Sequence, residues 1–155
     1  MKRYWEDVKV GETFTTEPRT IEKKDILDFA NEFDPQPYHL DSAAADASIF
    51  GGLCASGWQV SALMMRLLTE ALHQQNIAIF GVAGVPDMRW KLPVFSGDSL
   101  AAKIILVATN PDSGRTGMGS IDAEVEVSNQ DGQPVIKLVT RLLIGHREEV
   151  CTDAG

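Results

Sequence analysis

SGWQVSALMMRLLTEAL, residues 56–72, is the stretch of the chain with the clearest helical pattern. Its apolar residues recur at intervals of three and four positions, which places them on one face of an α-helix. Ser56 stands just before the pattern, and a serine there commonly caps a helix through its side chain. The apolar face is broad, so we expect the helix to pack deep against a sheet. The face consists of Val60, Leu63, Met64, Leu67, Leu68, Ala71 and Leu72.

The second half of the chain changes to the pattern of β-strands. Residues 121–128 alternate between apolar and polar side chains, a turn signal follows at Asn129–Gly132, and residues 136–144 carry the return strand. This combination predicts a β-hairpin. Further strands are expected at residues 12–21, 79–91 and 100–107. Helices followed by strands indicate an α+β fold, in which an antiparallel sheet packs on one long helix.

A shorter amphipathic helix is predicted at residues 24–33, where apolar side chains again recur at helical spacing. Pro35 and Pro37 prevent its continuation, because each lacks a backbone N–H and restrains the residue before it. Residues 34–40 are therefore expected to form an ordered loop. Asp41 or Ser42 is expected to cap a second short helix in the alanine-rich run that follows.

Length and charge exclude several classes of protein. The 155 residues are expected to form one domain over residues 1–150, with residues 151–155 as a disordered tail. A formal net charge of −8 argues against binding to nucleic acid or to anionic membranes. We find no apolar run long enough to span a bilayer, and the N-terminal residues lack the apolar core of a signal peptide.

The two cysteines indicate a reducing compartment. Cys54 and Cys151 lie far apart in the sequence and form no CxxC pattern. Two unpaired thiols are typical of a cytoplasmic protein, which is the location we expect. The chain also has no metal-ligand spacing and no nucleotide-binding loop, so no metal is expected.

The segment DPQPYH, residues 34–39, is the candidate for chemistry. It holds Asp34 and His39 five positions apart in a stretch stiffened by two prolines. An imidazole titrates near neutral pH and the pKa of a carboxylate rises on partial burial, so such a pair can bind one water and exchange protons with it. His73 and His146 have no partner that the sequence reveals, and we expect both at the surface.

These residues resemble the MaoC-like dehydratases and (R)-specific enoyl-CoA hydratases, a family with the hot-dog fold. The family carries a segment of the form Gly-Asp-x-Asn-Pro-aliphatic-His-x-Asp and then an alanine-rich helix, and residues 33–41 here read FDPQPYHLD. Three more blocks are similar to those of the family and occur in the same order: DVKVGE at residues 7–12, FGGLCASG at residues 50–57 and MRWKLPVFSGDSL at residues 88–100.

The resemblance implies a specific architecture. The hot-dog fold is an antiparallel sheet wrapped around one long central helix, with a helical overhang segment that carries the active-site loop. It also implies a homodimer or an assembly of dimers. A monomer of this kind would leave a sheet edge open, and pairing two protomers would cover it.

The resemblance also implies a reaction, the reversible addition of water to a trans-2-enoyl-CoA to give an (R)-3-hydroxyacyl-CoA. Coenzyme A is then part of the substrate, and no cofactor is needed. Asp34 and His39 would be catalytic, although the sequence leaves open which is the acid and which the base. The backbone N–H of Gly57 would stabilise negative charge on the thioester oxygen at a helix start. Ser56 would either bind the substrate or cap the helix.

Three departures from the family pattern surround the pair. Phe33 and Tyr38 replace smaller residues, and Gln36 replaces an asparagine. We expect Gln36 and Tyr38 to contribute to substrate binding, and the two rings to narrow the acyl site toward a short or functionalised acyl group. Arg89 and Lys91 are candidates for contacts to the phosphates of coenzyme A.

Two other functions remain open at this point. A hot-dog acyl-CoA thioesterase shares the fold and the ligand, but such enzymes place a carboxylate on the long helix. Glu70 is the only acid there, and it lies near the far end. A non-catalytic acyl-thioester binding module is the second alternative, because an idle site tolerates substitutions such as those around Asp34.

Overall fold

The computed structural model describes residues 1–147, which form a six-stranded sheet and four α-helices. The tail predicted at residues 151–155 and the last three residues of the expected domain lie outside the described part. The elements are a 3-10 turn at Trp5–Asp7, β1 at Thr13–Thr15, β2 at Arg19–Thr20, α1 at Lys23–Phe33, α2 at Pro37–Leu40, α3 at Ser42–Asp46, α4 at Gly57–Gln74, β3 at Ile79–Trp90, β4 at Ser99–Arg115, β5 at Met118–Ser128 and β6 at Pro134–Gly145.

The sheet is antiparallel throughout, with the strand order β1-β4-β5-β6-β3 and β2 paired to β4. Strands β5 and β6 form the predicted hairpin, with Val125 opposite Leu138. On its other side Val125 faces Ile104 of β4, so apolar residues stand in register across three strands. Strand β3 is an edge of the sheet and carries three register irregularities between Ile79 and Asp87.

Helix α4 supplies the helical half of the hydrophobic core. Six of its apolar side chains are buried, and they pack in one cluster with the inward-facing residues of β4, β5 and β6. The cluster includes Val60, Met64, Leu67, Leu68, Ala71 and Leu72 from the helix, and Ile104, Val125 and Leu138 from the sheet. A sheet wrapped around one long helix is the hot-dog arrangement that the sequence predicted.

The segment between α1 and α4 contains one more helix than predicted. Helix α1 ends at Phe33, as expected, and the Asp34 N–H still bonds to the Ala30 carbonyl at 3.0 Å. The prediction of loop for all of residues 34–40 is wrong, because Pro37 is the first residue of the short helix α2. Proline is compatible with that position, since the N–H it lacks would have no helical partner there.

Asp41, and not Ser42, caps α3. Its Oδ2 accepts a hydrogen bond from the Ala44 N–H at 2.9 Å, which satisfies one of the amides left free at a helix start. Helices α1, α2 and α3 together form the helical overhang segment that the hot-dog resemblance implied.

Two strand predictions had the wrong extent. Residues 12–21 form two short strands, β1 and β2, which are interrupted before Pro18. A proline lacks the N–H that a continuous ladder would need, which accounts for the break. Strand β4 continues to Arg115, well past the predicted end at residue 107.

Within residues 1–147 no helix is both long enough and apolar enough to cross a membrane.

The prediction for His146 also needs correction. Its Nδ1 lies 2.8 Å from Glu6 Oε1 and its Nε2 lies 2.8 Å from the Pro111 carbonyl, while its ring packs against Trp5. His146 therefore ties the 3-10 turn near the N-terminus to the end of β6. His73 is exposed near the end of α4, as expected.

Candidate active site

The short helix α2 places His39 against the start of α4. The ring is buried, and its Nδ1 lies 2.6 Å from the Cys54 carbonyl oxygen. Because a carbonyl oxygen only accepts, Nδ1 carries the hydrogen of this bond. The other ring nitrogen, Nε2, lies 3.4 Å from Asp34 Oδ2. The two residues predicted as a catalytic pair therefore face each other, with Nε2 as the ring atom turned toward the carboxylate.

Asp34 is held in place by Ser56. The residue follows α1 directly, and its side chain is 25% exposed, so solvent reaches the carboxylate while its backbone is fixed. The Ser56 hydroxyl, which is fully buried, donates to Asp34 Oδ2 at 2.7 Å. Ser56 Oγ itself accepts from the Trp58 N–H at 3.3 Å and so caps α4. Ser56 therefore serves as the cap that was one of its two predicted roles, and its hydrogen goes to Asp34.

Gly57 lies beside this pair as the first residue of α4. A first-turn amide has no carbonyl four residues earlier within its helix, so its N–H is available to another acceptor. The partial positive charge of the helix N-terminus adds to that of the amide. The structure thus brings Asp34, His39, Ser56 and Gly57 together, as the sequence predicted.

A cavity of about 350 Å³ opens onto these residues. Asp34 and His39 line one side, and most of the remaining wall is apolar or aromatic. A largely apolar wall can bind an acyl chain, and the side chains of Asp34 and His39 could then contact its reacting carbons. The lining residues are Asp34, Tyr38, His39, Phe50, Cys54, Ala55, Gly57, Trp58, Val60, Trp90, Lys91, Leu92, Pro93 and Val94.

Of the two aromatic residues that depart from the family pattern, Tyr38 and Phe33, one lines the cavity and the other does not. Tyr38 lines the cavity, with its ring edge-on to His39 at 4.5 Å and 5.3 Å from the ring of Phe50. Phe33 does not line it. Its ring is 66% exposed and packs against Phe29 of its own helix, so the expectation that Phe33 narrows the acyl site is wrong.

Gln36 contributes its backbone to the site region. Its N–H bonds to the Asp34 carbonyl at 2.7 Å, and its carbonyl accepts from the His39 N–H at 2.9 Å. Gln36 therefore fixes the turn between the two candidate catalytic residues. It is not among the residues that line the cavity, so the predicted contact of its side chain with substrate has no support.

The two candidate phosphate contacts also differ. Lys91 lines the cavity and is exposed. Arg89 does not line it, and its guanidinium lies 3.6 Å from Asp87 with most of its side chain in solvent. Of the two predicted cations, only Lys91, which directly follows β3, borders the cavity.

Sequence reasoning missed four aromatic and apolar residues of the wall, namely Phe50, Trp58, Trp90 and Leu92. Two of the blocks that resemble the family contain three of these residues, since residues 50–57 include Phe50 and residues 88–100 include Trp90 and Leu92. The pattern of a block does not reveal which cavity it borders.

Among residues 1–147 no three histidine, cysteine, aspartate or glutamate side chains cluster as metal ligands.

Similarity to known proteins agrees with this geometry. Residues 7–130 match the family described as MaoC like domain. The uncharacterised protein YdeM of Bacillus subtilis is 30% identical over 113 residues, which are 73% of this chain and 79% of YdeM. The crystal structure of a MaoC-like dehydratase from Rhodospirillum rubrum has 35% identity and a TM-score of 0.81, and the alignment covers 94% of this chain and 98% of that one.

The fold and the paired Asp34 and His39 define a hot-dog protein of the dehydratase type. The chain belongs to the MaoC-like dehydratase family. The (R)-hydratase PhaJ1 of Pseudomonas aeruginosa, in its unliganded form, shares the fold at 22% identity and a TM-score of 0.72, with 93% of this chain and 86% of that chain covered.

Cys54 is packed in the protein interior. The residue is 2% exposed, and burial raises the pKa of its thiol because the thiolate loses solvation. We expect iodoacetamide to alkylate Cys54 at pH 8 about tenfold more slowly than a free cysteine, since only the thiolate reacts and access is blocked. Mass spectrometry of a Cys151→Ser variant measures this rate.

The pH dependence provides the control for that prediction. A raised pKa means that the rate should keep rising at pH values where the rate of a free cysteine has levelled off. Denatured protein should react at the rate of the free amino acid. A native rate that levels off with that of free cysteine would contradict the pKa shift.

Proposed function

We propose that this protein is a hydro-lyase that adds water reversibly to a trans-2-enoyl-CoA and forms an (R)-3-hydroxyacyl-CoA. The observation that carries the proposal is the 3.4 Å separation of His39 Nε2 and Asp34 Oδ2 inside a largely apolar cavity. The family membership supports hydro-lyase chemistry in general terms. Coenzyme A enters as the carrier of the acyl group, and the proposed reaction needs no cofactor.

The hydrogen bonds of the pair indicate how it would handle protons. The Nδ1–H of His39 is engaged with the Cys54 carbonyl, which leaves Nε2 as the atom that can exchange a proton. A water bound to both Nε2 and the Asp34 carboxylate would have two acceptors. One of the two groups takes a proton from this water as its oxygen bonds to C3, and the pair returns one proton to C2. The protonation state of the pair is then the same before and after a turnover.

The start of α4 would stabilise the charge that this addition creates. As water adds at C3, electron density moves through C2 to the thioester oxygen. A backbone N–H at a helix start stabilises such an oxyanion, and Gly57 presents one at the edge of the cavity. Asp34, His39 and Gly57 all line the same cavity, so one bound enoyl group could contact the pair and the Gly57 N–H together.

Glu70 does not support the thioesterase alternative. It is not among the cavity residues, and its carboxylate pairs with Arg66 and with Arg19, which lies 3.4 Å away. These ion pairs lower the pKa of Glu70 and keep it in the ionised form at the surface. The non-catalytic alternative remains an outcome of the assay below.

Incubation with crotonyl-CoA tests the proposal. We expect the absorbance of the enoyl thioester to fall while free thiol stays constant, because water adds to the double bond and the thioester survives. Release of thiol would instead identify a thioesterase. No change in either signal, with C4 to C12 enoyl-CoAs, would support the binding module and contradict the proposed function.

Variants of the pair should abolish most of this activity. Asp34→Asn and His39→Ala are each expected to lower kcat about 10²–10⁴-fold, the usual effect of losing a general acid or base. If both groups act on one water, the double variant should be little worse than either single variant. Asp46→Asn and His73→Ala repeat the same chemical changes at exposed sites and should retain activity. Hydration near the normal rate by either site variant would remove the pair from the mechanism.

We further propose that two copies associate through β3. This strand is a sheet edge, and it exposes four apolar side chains, those of Phe80, Val82, Val85 and Trp90, each close to half exposed. An open edge with apolar side chains favours pairing with another strand, and a second copy would cover both.

The unpaired Cys54 thiol supports a reducing, cytoplasmic location, which we also propose.

Val82→Asp should therefore weaken the dimer. The change puts a charge among the exposed apolar residues of β3, and its desolvation in the interface would be unfavourable. Light scattering at micromolar concentration should give the mass of a dimer or larger assembly for the unchanged protein and a lower mass for the variant. Val107→Asp, at an exposed valine of β4, is the matched control. A monomeric mass for the unchanged protein would contradict the proposal.

Tyr38 is proposed to limit the length of the acyl group, since its ring occupies the cavity wall beside His39. We expect kcat/KM of the unchanged protein to be highest for short enoyl-CoAs, and Tyr38→Val to shift the preference toward C8 and C12. Phe33→Leu changes an exposed ring outside the cavity and should leave the profile unaltered. A preference for C8 or longer chains in the unchanged protein would contradict the steric argument.

A further inference from the structure

We infer that Trp90 is a positioning residue, whose indole holds the first turn of α4 where Gly57 must meet the thioester oxygen. The inference rests on the proposed function, because it concerns the geometry of the proposed oxyanion donor. Trp90 is the last residue of β3 and lines the cavity beside Gly57. It therefore connects the edge strand of the sheet directly to the start of the central helix.

Hydrogen bonds form the first part of this connection. The indole Nε1–H of Trp90 lies 2.8 Å from the Gly57 carbonyl oxygen and 3.1 Å from Ser61 Oγ, so it is shared between two acceptors. Ser61 Oγ lies 2.9 Å from the same carbonyl and 3.5 Å from Met88 Sδ. Trp90 and Met88 both belong to β3, so this strand contacts the first turn of α4 at two points.

Close packing forms the second part. A Cβ atom built on Gly57 would lie 2.9 Å from Cε2 and 3.0 Å from Nε1 of Trp90, closer than real Cβ atoms approach other heavy atoms. The indole thus rests directly on the backbone of Gly57. The close approach of the indole is one reason why this position is a glycine.

The position of Gly57 matters because electrostatic stabilisation of an oxyanion is sensitive to distance. A donor must lie about 2.7–3.1 Å from the oxyanion to be effective. A misplacement of about 1 Å in an active site can lower the rate about 100-fold. Gly57 lines the cavity, and its carbonyl is held by Trp90 and Ser61. Loss of the indole N–H would release one of the two side-chain contacts that orient this residue.

The chain contains a matched control for this arrangement. Trp5 also donates its indole N–H to a backbone carbonyl, that of Ser120, at 3.2 Å. Its ring also rests on a glycine, Gly119, where an added Cβ would clash with the indole. Trp5 packs against β5 and does not line the cavity. Changing Trp5 therefore removes the same type of contact at a distance from the proposed chemistry.

Steady-state kinetics of Trp90→Phe and Trp5→Phe with crotonyl-CoA test the role. Each change removes an indole N–H and keeps an aromatic ring. For Trp90→Phe we expect kcat to fall about tenfold or more while KM changes less than about twofold, as for an interaction made in the transition state. The pH–rate profile should be unaltered, because Asp34 and His39 are intact. A kcat loss no greater than that of Trp5→Phe, or a loss confined to KM, would overturn the inference.

A double-variant cycle tests the contact without any assay of activity. Gly57→Ala should lower the thermal midpoint clearly in the unchanged protein, and much less when Trp90→Leu has removed the indole that the new Cβ would meet. Additive lowering would show that the contact is absent and would overturn the inference. The two effects on the thermal midpoint could be coupled while the protein hydrates none of the C4 to C12 enoyl-CoAs. That result would reject the proposed function, and the positioning role with it.

Discussion

Burial of one face of α4 against the sheet fixes every distance in the candidate site. Leu67, Leu68 and Leu72 are almost fully buried, and burial of each such side chain contributes about 1.5–3 kcal/mol. This packing leaves the helix no freedom to slide along β4 and β5. Its N-terminus is therefore held at one point of the sheet, and Ser56 and Gly57 lie at that point. The geometry of the candidate site is a consequence of the core.

Ser56 transmits this constraint to the candidate catalytic carboxylate. One hydroxyl caps α4 and also donates to Asp34, 22 positions earlier in the chain. Loss of a side-chain cap costs about 1 kcal/mol, so the same oxygen contributes to stability and to the site. His39 is held by a different atom, the Cys54 carbonyl, two residues before Ser56. The short segment that leads into α4 thus orients both members of the pair.

The sequence was sufficient for those parts of the structure that depend on local pattern. The apolar face of α4, the hairpin of β5 and β6, and the end of α1 before Pro35 all follow from periodicity and from the chemistry of proline. The pairing of Asp34 with His39 came from the family resemblance as much as from spacing. Helix α2 was missed because two prolines close together suggested a loop, although Pro37 is acceptable as a first helical residue.

The remaining contacts of the site had no signal that could be read along the chain. His39 bonds to a backbone carbonyl, and every residue has one, so no residue type marks the partner. The exposure of Phe33 and the approach of Trp90 to Gly57 depend on how distant segments pack. Packing of this kind is decided by the tertiary fold, and only its apolar or aromatic character is visible in sequence.

The two ends of β3 differ in a way that links the proposed assembly to the site. Between Ile79 and Asp87 the strand pairs irregularly with β6, whereas from Asp87 to Trp90 the pairing is continuous. The regular end is the end that holds Gly57 through Trp90. Exposed apolar side chains occur in both parts, since Phe80 and Val82 lie in the first and Trp90 in the second. Association along this edge would therefore cover the irregular part of the strand whose regular end orients the proposed oxyanion donor.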